Sequence, residues 1–244
     1  MIKTSNDKIY IVAYHYVREI KKSKYPNLKG LEFSDFKKQI EFFEKNFNII
    51  SHNDFIEIMV TKKIPKKKSI MLTFDDGYKD HFKYVYPYLK KRKILGNFYP
   101  PVMCIKNKRV LDVNKIHFVL EKEKNIDKIL NLIIYYTKKY SGIDLNNARL
   151  NKIDTKNRFD DKKTIIIKRL LQNYLPIKLR KRIVNRIFEK IVNLSEEEFS
   201  KKLYMNEKNV KELYKNKFTI GSHGYDHFWW GKISKDEQEK EIKK

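Results

Sequence analysis

A chain of 244 residues, 41% hydrophobic and 14% aromatic, is long enough for one large α/β domain or two small ones, and its composition excludes a disordered polymer. No run of about 18 apolar residues occurs, which excludes a membrane-spanning helix, and the lone Cys104 excludes an intramolecular disulfide. The 55 Lys and Arg against 30 Asp and Glu give a formal net charge of +25, which suits nucleic acid, acidic glycans or anionic lipid as partners. The lysines are spread along the chain rather than gathered in a tail, so solubility is the plainer reading of that charge.

The first eight residues are polar, and the apolar stretch after them is short and broken by His15 and Arg18. It lacks the apolar core and cleavage site of a secretory leader, so a cytoplasmic location is expected. Residues 9–14 form a β-branched and aromatic run that predicts a buried strand. Helical periodicity follows over 34–43, with Ser34 as the expected N-cap. A short strand is predicted at 47–50, and Ser51-His52-Asn53-Asp54 opens a helix running to residue 60. Residues 64–68 read as a basic loop marked by Pro65. The next strand covers 69–74, a helix covers 78–93, and a strand at 96–99 is closed by Pro100-Pro101. Cys104 lies in an apolar setting and is expected as a buried structural thiol.

This alternation implies parallel strands with helical crossovers, whose chemistry collects at the C-terminal strand ends. His15 and the Asp75-Asp76 pair fall at such ends. Residues 113–217 differ, being mostly helical and strongly basic, with clear helical patterns at 126–134 and 178–188. They read as a helical insertion. A short strand is then expected at 218–221, and a capped helix at 234–242.

Two adjacent carboxylates after a buried strand repel each other unless a cation intervenes. In Thr73-Phe74-Asp75-Asp76-Gly77 one carboxylate can hold a divalent ion while its neighbour stays free as a base, and Gly77 permits a sharp turn. Alone, the segment reads equally well as a structural Asp-Asp-Gly turn. His223-Gly224-Tyr225-Asp226-His227 puts two imidazoles at i, i+4, a spacing that can meet one metal. Gly224 stands where a zincin helix would need its Glu, and with Gly221 it argues for a loop. Two His and one Asp leave an open position for water, as catalytic zinc sites require.

Together the segments resemble the NodB-like polysaccharide deacetylases of carbohydrate esterase family 4. Thr73-Phe74-Asp75-Asp76-Gly77 matches the family's first motif fully, and His223 and His227 match its His-(Ser/Thr)-x-x-His except at Gly224. The likeness extends to Ala13-Tyr14-His15-Tyr16-Val17, the strand order to Pro101 and the Gly221-Ser222-His223 entry, about half the chain. The resemblance implies an α/β fold, an incomplete distorted (β/α) barrel with the helical insertion. It implies Asp75 as catalytic base, Asp76, His223 and His227 as ligands of Zn²⁺ or another divalent ion, and an N-acetylated glycan as substrate. The family's later motifs, which supply its catalytic acid, are not recognised after His227. The resemblance therefore implies a single domain over 1–244 that lacks its C-terminal part, with no acid assigned.

His15 could line the pocket, and Trp229 and Trp230 could stack on a sugar face, though strand-end bonding and wall packing explain them equally well. His81 and His117 sit in helical patterns and read as structural. The expected function is metal-dependent removal of N-acetyl groups from a polysaccharide or surface-glycan precursor. The alternatives are a catalytically dead relative that binds metal or sugar, and a basic module binding nucleic acid or an acidic polymer through the helical middle.

Overall fold

The computed structural model describes residues 8–244 apart from 64, 66 and 157–159. The expected polar start at 1–7, and Ile64 and Lys66 of the basic loop, therefore lie outside the described residues. The chain forms two compact units, one of Met1–Arg109 with Phe199–Lys244 and one of Val110–Glu198.

The first unit begins with β1 (Ile9–Tyr14), β2 (Val17–Arg18) and β3 (Leu31–Glu32), followed by α1 (Phe33–Asn46), β4 (Asn48–Ile49) and α2 (His52–Thr61). Next come β5 (Ser69–Asp75), a π-helical turn at His81–Val85 running into α3 (Tyr86–Lys91), β6 (Asn97–Tyr99) and α4 (Val102–Lys106). Ser34 is not the N-cap of α1. That position falls on Glu32, because Glu32 is already extended in its pairing with Arg18 and its carboxylate is taken by the Ile20 and Lys21 N–H groups. Ser51 caps α2 in a reciprocal box with Asp54.

The second unit is helical among its described residues. It comprises α5 (Asp112–Lys122), α6 (Ile126–Ser141), α7 (Asn147–Leu150), α8 (Lys162–Arg169) with a π-helical turn at Leu170–Tyr174, and α9 (Ile177–Val192). Ile129, Ile133 and Tyr136 of α6, and Ile183, Val184, Ile187 and Phe188 of α9, recur at three- and four-residue spacing and are buried. Lys115 is buried too, its charge held by Glu196 at 2.8 Å and its ammonium donating to Asn185 Oδ1. α10 (Glu196–Leu203) carries the chain back into the first unit, where α11 (Glu207–Lys215), β7 (Thr219–Ile220), a 3₁₀ turn at Trp230–Lys232 and α12 (Lys235–Lys243) complete it. Among the described residues no helix is long and apolar enough to cross a membrane.

The five-stranded sheet of the first unit follows the open path β1-β5-β6-β7, with β4 also paired to β5, and every pairing in it is parallel. This is the expected α/β class. β5 is buried from Ser69 to Phe74, which explains its unbroken apolar run. Phe74 stacks between Tyr14 and Phe98, at 5.2 and 4.8 Å, inside a core that also takes in Phe36, Ile40, Leu72, Leu89, Leu213 and Phe218. The register sets Tyr14 against Phe74 and Asp75 against Tyr99. One step beyond Tyr14, His15 therefore leaves its strand beside Asp75.

Candidate metal centre

At the end of β5 the backbone turns over at once. Asp76 has φ +66° and Gly77 φ +65°, both in the left-handed region. Asp tolerates that region better than most residues. At Gly77 a side chain is also excluded by space, since a Cβ would lie 2.6 Å from Pro100 Cβ. The turn drives Asp76 inward to 2% exposure and leaves Asp75 at the rim.

Tyr78 fixes the inward carboxylate. Its ring is fully buried, stacked on Tyr16 at 4.3 Å and on Tyr204 at 6.0 Å. Its hydroxyl donates to Asp76 Oδ2 at 2.5 Å. Burial holds the Tyr78 hydroxyl well above the usual phenol range, so it stays a donor. The other oxygen, Asp76 Oδ1, is buried without a hydrogen-bond partner.

That oxygen faces both histidines. Asp76 Oδ1 lies 3.7 Å from His223 Nε2 and 3.6 Å from His227 Nε2, and the two nitrogens are 3.1 Å apart. Ligands of one tetrahedral ion at bond lengths of about 2.0–2.1 Å stand about 3.3–3.4 Å from each other. The three atoms thus have the spacing of three ligands, and an orphaned buried carboxylate oxygen is the group a cation would satisfy. Burial lowers the His227 pKa, which favours the neutral imidazole that a metal needs. Gly221 admits this segment against the sheet, as a Cβ there would sit 2.5 Å from the Tyr99 ring.

Asp75 stands next to the three. Its Oδ2 is 3.9 Å from His15 Nε2. Burial raises its pKa; His223 and His15 pull it back, while the Asp76 charge pushes it further up. His15 is more than half exposed, and its main chain is held from beneath by His81. The His81 ring is fully buried and its Nε2 donates to the His15 carbonyl at 2.6 Å. Burial lowers the His81 pKa to about 4, so the ring is neutral. Trp229 and Trp230 are 54% and 42% exposed, in the segment after His227; a Cβ at Gly224 would lie 3.8 Å from the Trp230 indole nitrogen.

The sequence therefore led to Asp75, Asp76, His223, His227 and His15, which meet at one end of the sheet. It did not point to Tyr78 or to the work of His81. The one available signal was position: Tyr78 is the second residue after Asp76, on the inner side of the same turn.

Residues 62–107, which include β5 and the acidic pair, match the family model described as polysaccharide deacetylase. Among curated proteins none matches the chain. Solved structures similar to it include a de-N-acetylase from Aggregatibacter actinomycetemcomitans, at 23% identity over 40% of this chain and 38% of that one, with a TM-score of 0.35. They also include the BpsB deacetylase domain from Bordetella bronchiseptica, at 13% identity over 92% and 57%, with a TM-score of 0.41. IcaB from Ammonifex degensii is similar at 14% identity over 89% and 84%, with a TM-score of 0.36. The chain spans less than two thirds of the length of the first two.

Proposed function

We propose that the chain is a NodB-like polysaccharide deacetylase whose α/β unit holds a divalent metal ion, Zn²⁺ in the first instance, and hydrolyses the N-acetyl group of a glycan; the match of residues 62–107 to the polysaccharide deacetylase model supports this reading. The observation that carries this reading is the convergence of Asp76 Oδ1, His223 Nε2 and His227 Nε2 around a buried oxygen with no other partner.

When bound, the ion supplies a Lewis acid for the acetyl carbonyl and a water of lowered pKa. The chain's own residues do the rest. Asp76 is held pointing inward by the Tyr78 hydroxyl. Asp75, one residue away and at the rim, takes a proton from the attacking water on its carboxylate. The amide carbon gains the water oxygen, the C–N bond breaks as the nitrogen takes up the proton the water gave, and acetate and a free amine leave. His15 lines the approach beside Asp75, and Trp229 and Trp230 offer exposed ring faces for a sugar. Residues 113–217 are, in this reading, an insertion in the deacetylase scaffold. A cytoplasmic site of action, proposed with it on the lone cysteine, favours a surface-glycan precursor as substrate.

The test is metal analysis of the purified protein, followed by acetate release from N-acetylated oligosaccharides. Bound zinc and acetate release in the wild type, both lost in Asp76→Ala and His223→Ala, are expected. A wild type that takes up no divalent ion, and matches both variants, would falsify the site.

A second reading attaches to the helical unit, where α6 and α9 border an open groove of ≈ 870 Å³. Lys139, Arg182, Arg186 and Lys190 line it against the single carboxylate of Glu189, with the Arg182 guanidinium stacked 3.8 Å from the Tyr140 ring centroid. Such a groove favours an acidic polymer. Salt-dependent retention on an anionic matrix, lost in the double variant Arg182→Ala and Arg186→Ala, is the expected result. Retention unchanged by that variant sinks the reading.

A further inference from the structure

The loop that carries both histidines has little holding it from within. Gly224, at φ +76°, brings no side chain to brace the turn, where Ser222 Oγ accepts the Gly224 N–H at 3.2 Å. His227 is itself left-handed, at φ +56°. A non-glycine residue in that region costs on the order of 1–3 kcal/mol and persists only where its surroundings over-determine it. Something outside the loop must therefore supply the hold.

Three supports are present, the first being the Tyr225 hydroxyl, which donates to Asn107 Oδ1 at 2.9 Å. On one side the N–H groups of Val102 and Met103, at the start of α4, donate to the Gly224 and Tyr225 carbonyls, both at 3.3 Å. On the other side stands Glu241, the single buried residue of α12 and only 5% exposed. Its Oε2 accepts the Tyr225 N–H at 3.2 Å and the Asp226 N–H at 2.8 Å. Consecutive backbone N–H groups that point the same way form a small concavity suited to an anion. Here a carboxylate from another element fills it, with charge-assisted bonds that are about twice as strong as neutral ones. The two bonded residues are those between Gly224 and His227, which is the stretch that must keep its shape for both imidazoles to face Asp76 Oδ1.

We propose that Glu241 is a positioning residue of the metal centre. Its carboxylate latches the Gly224–His227 turn from α12 and so sets the spacing of the two histidine ligands. The inference rests on the metal reading above, and it gives α12 a task at the site. The helix is otherwise polar, started by the reciprocal cap of Ser234 and Glu237 and exposed along most of its length.

The test combines two measurements on the full chain. Amide hydrogen exchange at Tyr225 and Asp226, in metal-free protein, reads the latch directly. Competition with a chromogenic chelator for Zn²⁺ reads its effect on the centre. In Glu241→Ala both amides are expected to exchange faster and Zn²⁺ affinity to fall roughly 10- to 100-fold, the range typical of lost outer-shell partners. Glu241→Gln keeps an acceptor oxygen without the charge and is expected to fall between Glu241→Ala and the wild type. Glu239→Ala, on the exposed face of the same helix, is expected to change neither measurement. Unchanged exchange and affinity in Glu241→Ala overturn the proposal. If thermal melting shows that Glu241→Ala does not fold, Glu241→Asp replaces it: its carboxylate is one carbon short, intermediate losses are expected, and wild-type values overturn the proposal. A wild type that binds no Zn²⁺ removes the metal reading, and the exchange rates then decide the latch alone: faster exchange in the variant supports it and equal exchange overturns it.

Discussion

The two halves of the proposed metal centre are built by different means. Asp75 and Asp76 leave a strand that is buried on both faces, is locked in register with β1 and β6, and is followed by a turn that a buried tyrosine holds from inside. His223 and His227 sit on a partly exposed loop with two left-handed residues, held by hydrogen bonds from α4 and from Glu241. The first half takes its geometry from the sheet and core beneath it. The second half is adjustable, and small changes at its supports should tune the centre without unfolding the unit. In the proposed reading the division of labour follows the same line, with the strand end supplying the base and a carboxylate ligand and the loop supplying the two imidazoles.

The largest effect that would break this comparison is at Asp75. Asp75→Asn is expected to lower kcat for acetate release roughly 10²- to 10⁴-fold, the span of general-base catalysis, while bound zinc is unchanged. Loss of zinc in that variant would show that the two carboxylates are not divided in role. Next come the ligands themselves. His227→Ala and Asp76→Asn should each weaken Zn²⁺ by more than the roughly 10- to 100-fold that outer-shell partners cost, as read by isothermal titration. Equal losses from both halves fit one shared ion; a loss from only one half breaks the centre in two.

Tyr78→Phe is a milder and sharper probe of the strand-end half. Removing the hydroxyl leaves Asp76 Oδ2 buried without its donor. Zn²⁺ affinity should fall by about tenfold, up to 100-fold, and stability in urea by about 1–3 kcal/mol. An affinity equal to the wild type would mean that the strand turn alone aims Asp76.

The smallest expected effect is a pH dependence confined to the strand-end half. His81 titrates near 6.5 when unfolded and at about 4 when buried. Between those values the unfolded chain binds the extra proton, so stability rises with pH. The contribution is complete above about pH 6.5 and is lost as pH falls through 4. Between pH 7 and pH 5 it should cost about 2 kcal/mol, measured as the difference in urea stability slopes between wild type and His81→Phe. Identical slopes would remove His81 as the acid-sensitive group under His15.

Legibility in the sequence followed the same division. Strands β1 and β5 were plain, because the short runs Ile9–Tyr14 and Ile70–Phe74, rich in β-branched, aromatic and other apolar residues, have few other uses. Two-residue strands such as β2 and β3 carry no pattern of their own, and the first helix began one residue before Ser34 because Glu32 was claimed by the β2–β3 pair. At the site, Asp75 and Asp76 were readable from five contiguous residues, and the histidines from their spacing. Tyr78 and Glu241 were not, since nothing in a tyrosine after glycine, or in a glutamate of a polar helix, says which atom it will reach. Their roles exist only once the turn and the loop stand in space.

The proposed ligands of this centre come from segments that lie on either side of the whole helical unit in sequence. Closing so long a loop is entropically costly, though each doubling of loop length adds only about 0.6 kcal/mol. An ion shared by Asp76, His223 and His227 would act as a reversible cross-link between those segments, available only after folding has joined them. The melting temperature should then climb with free zinc, by the equivalent of about 2.7 kcal/mol at a hundred times the dissociation constant. Thermal stability would thus become a gauge of zinc supply.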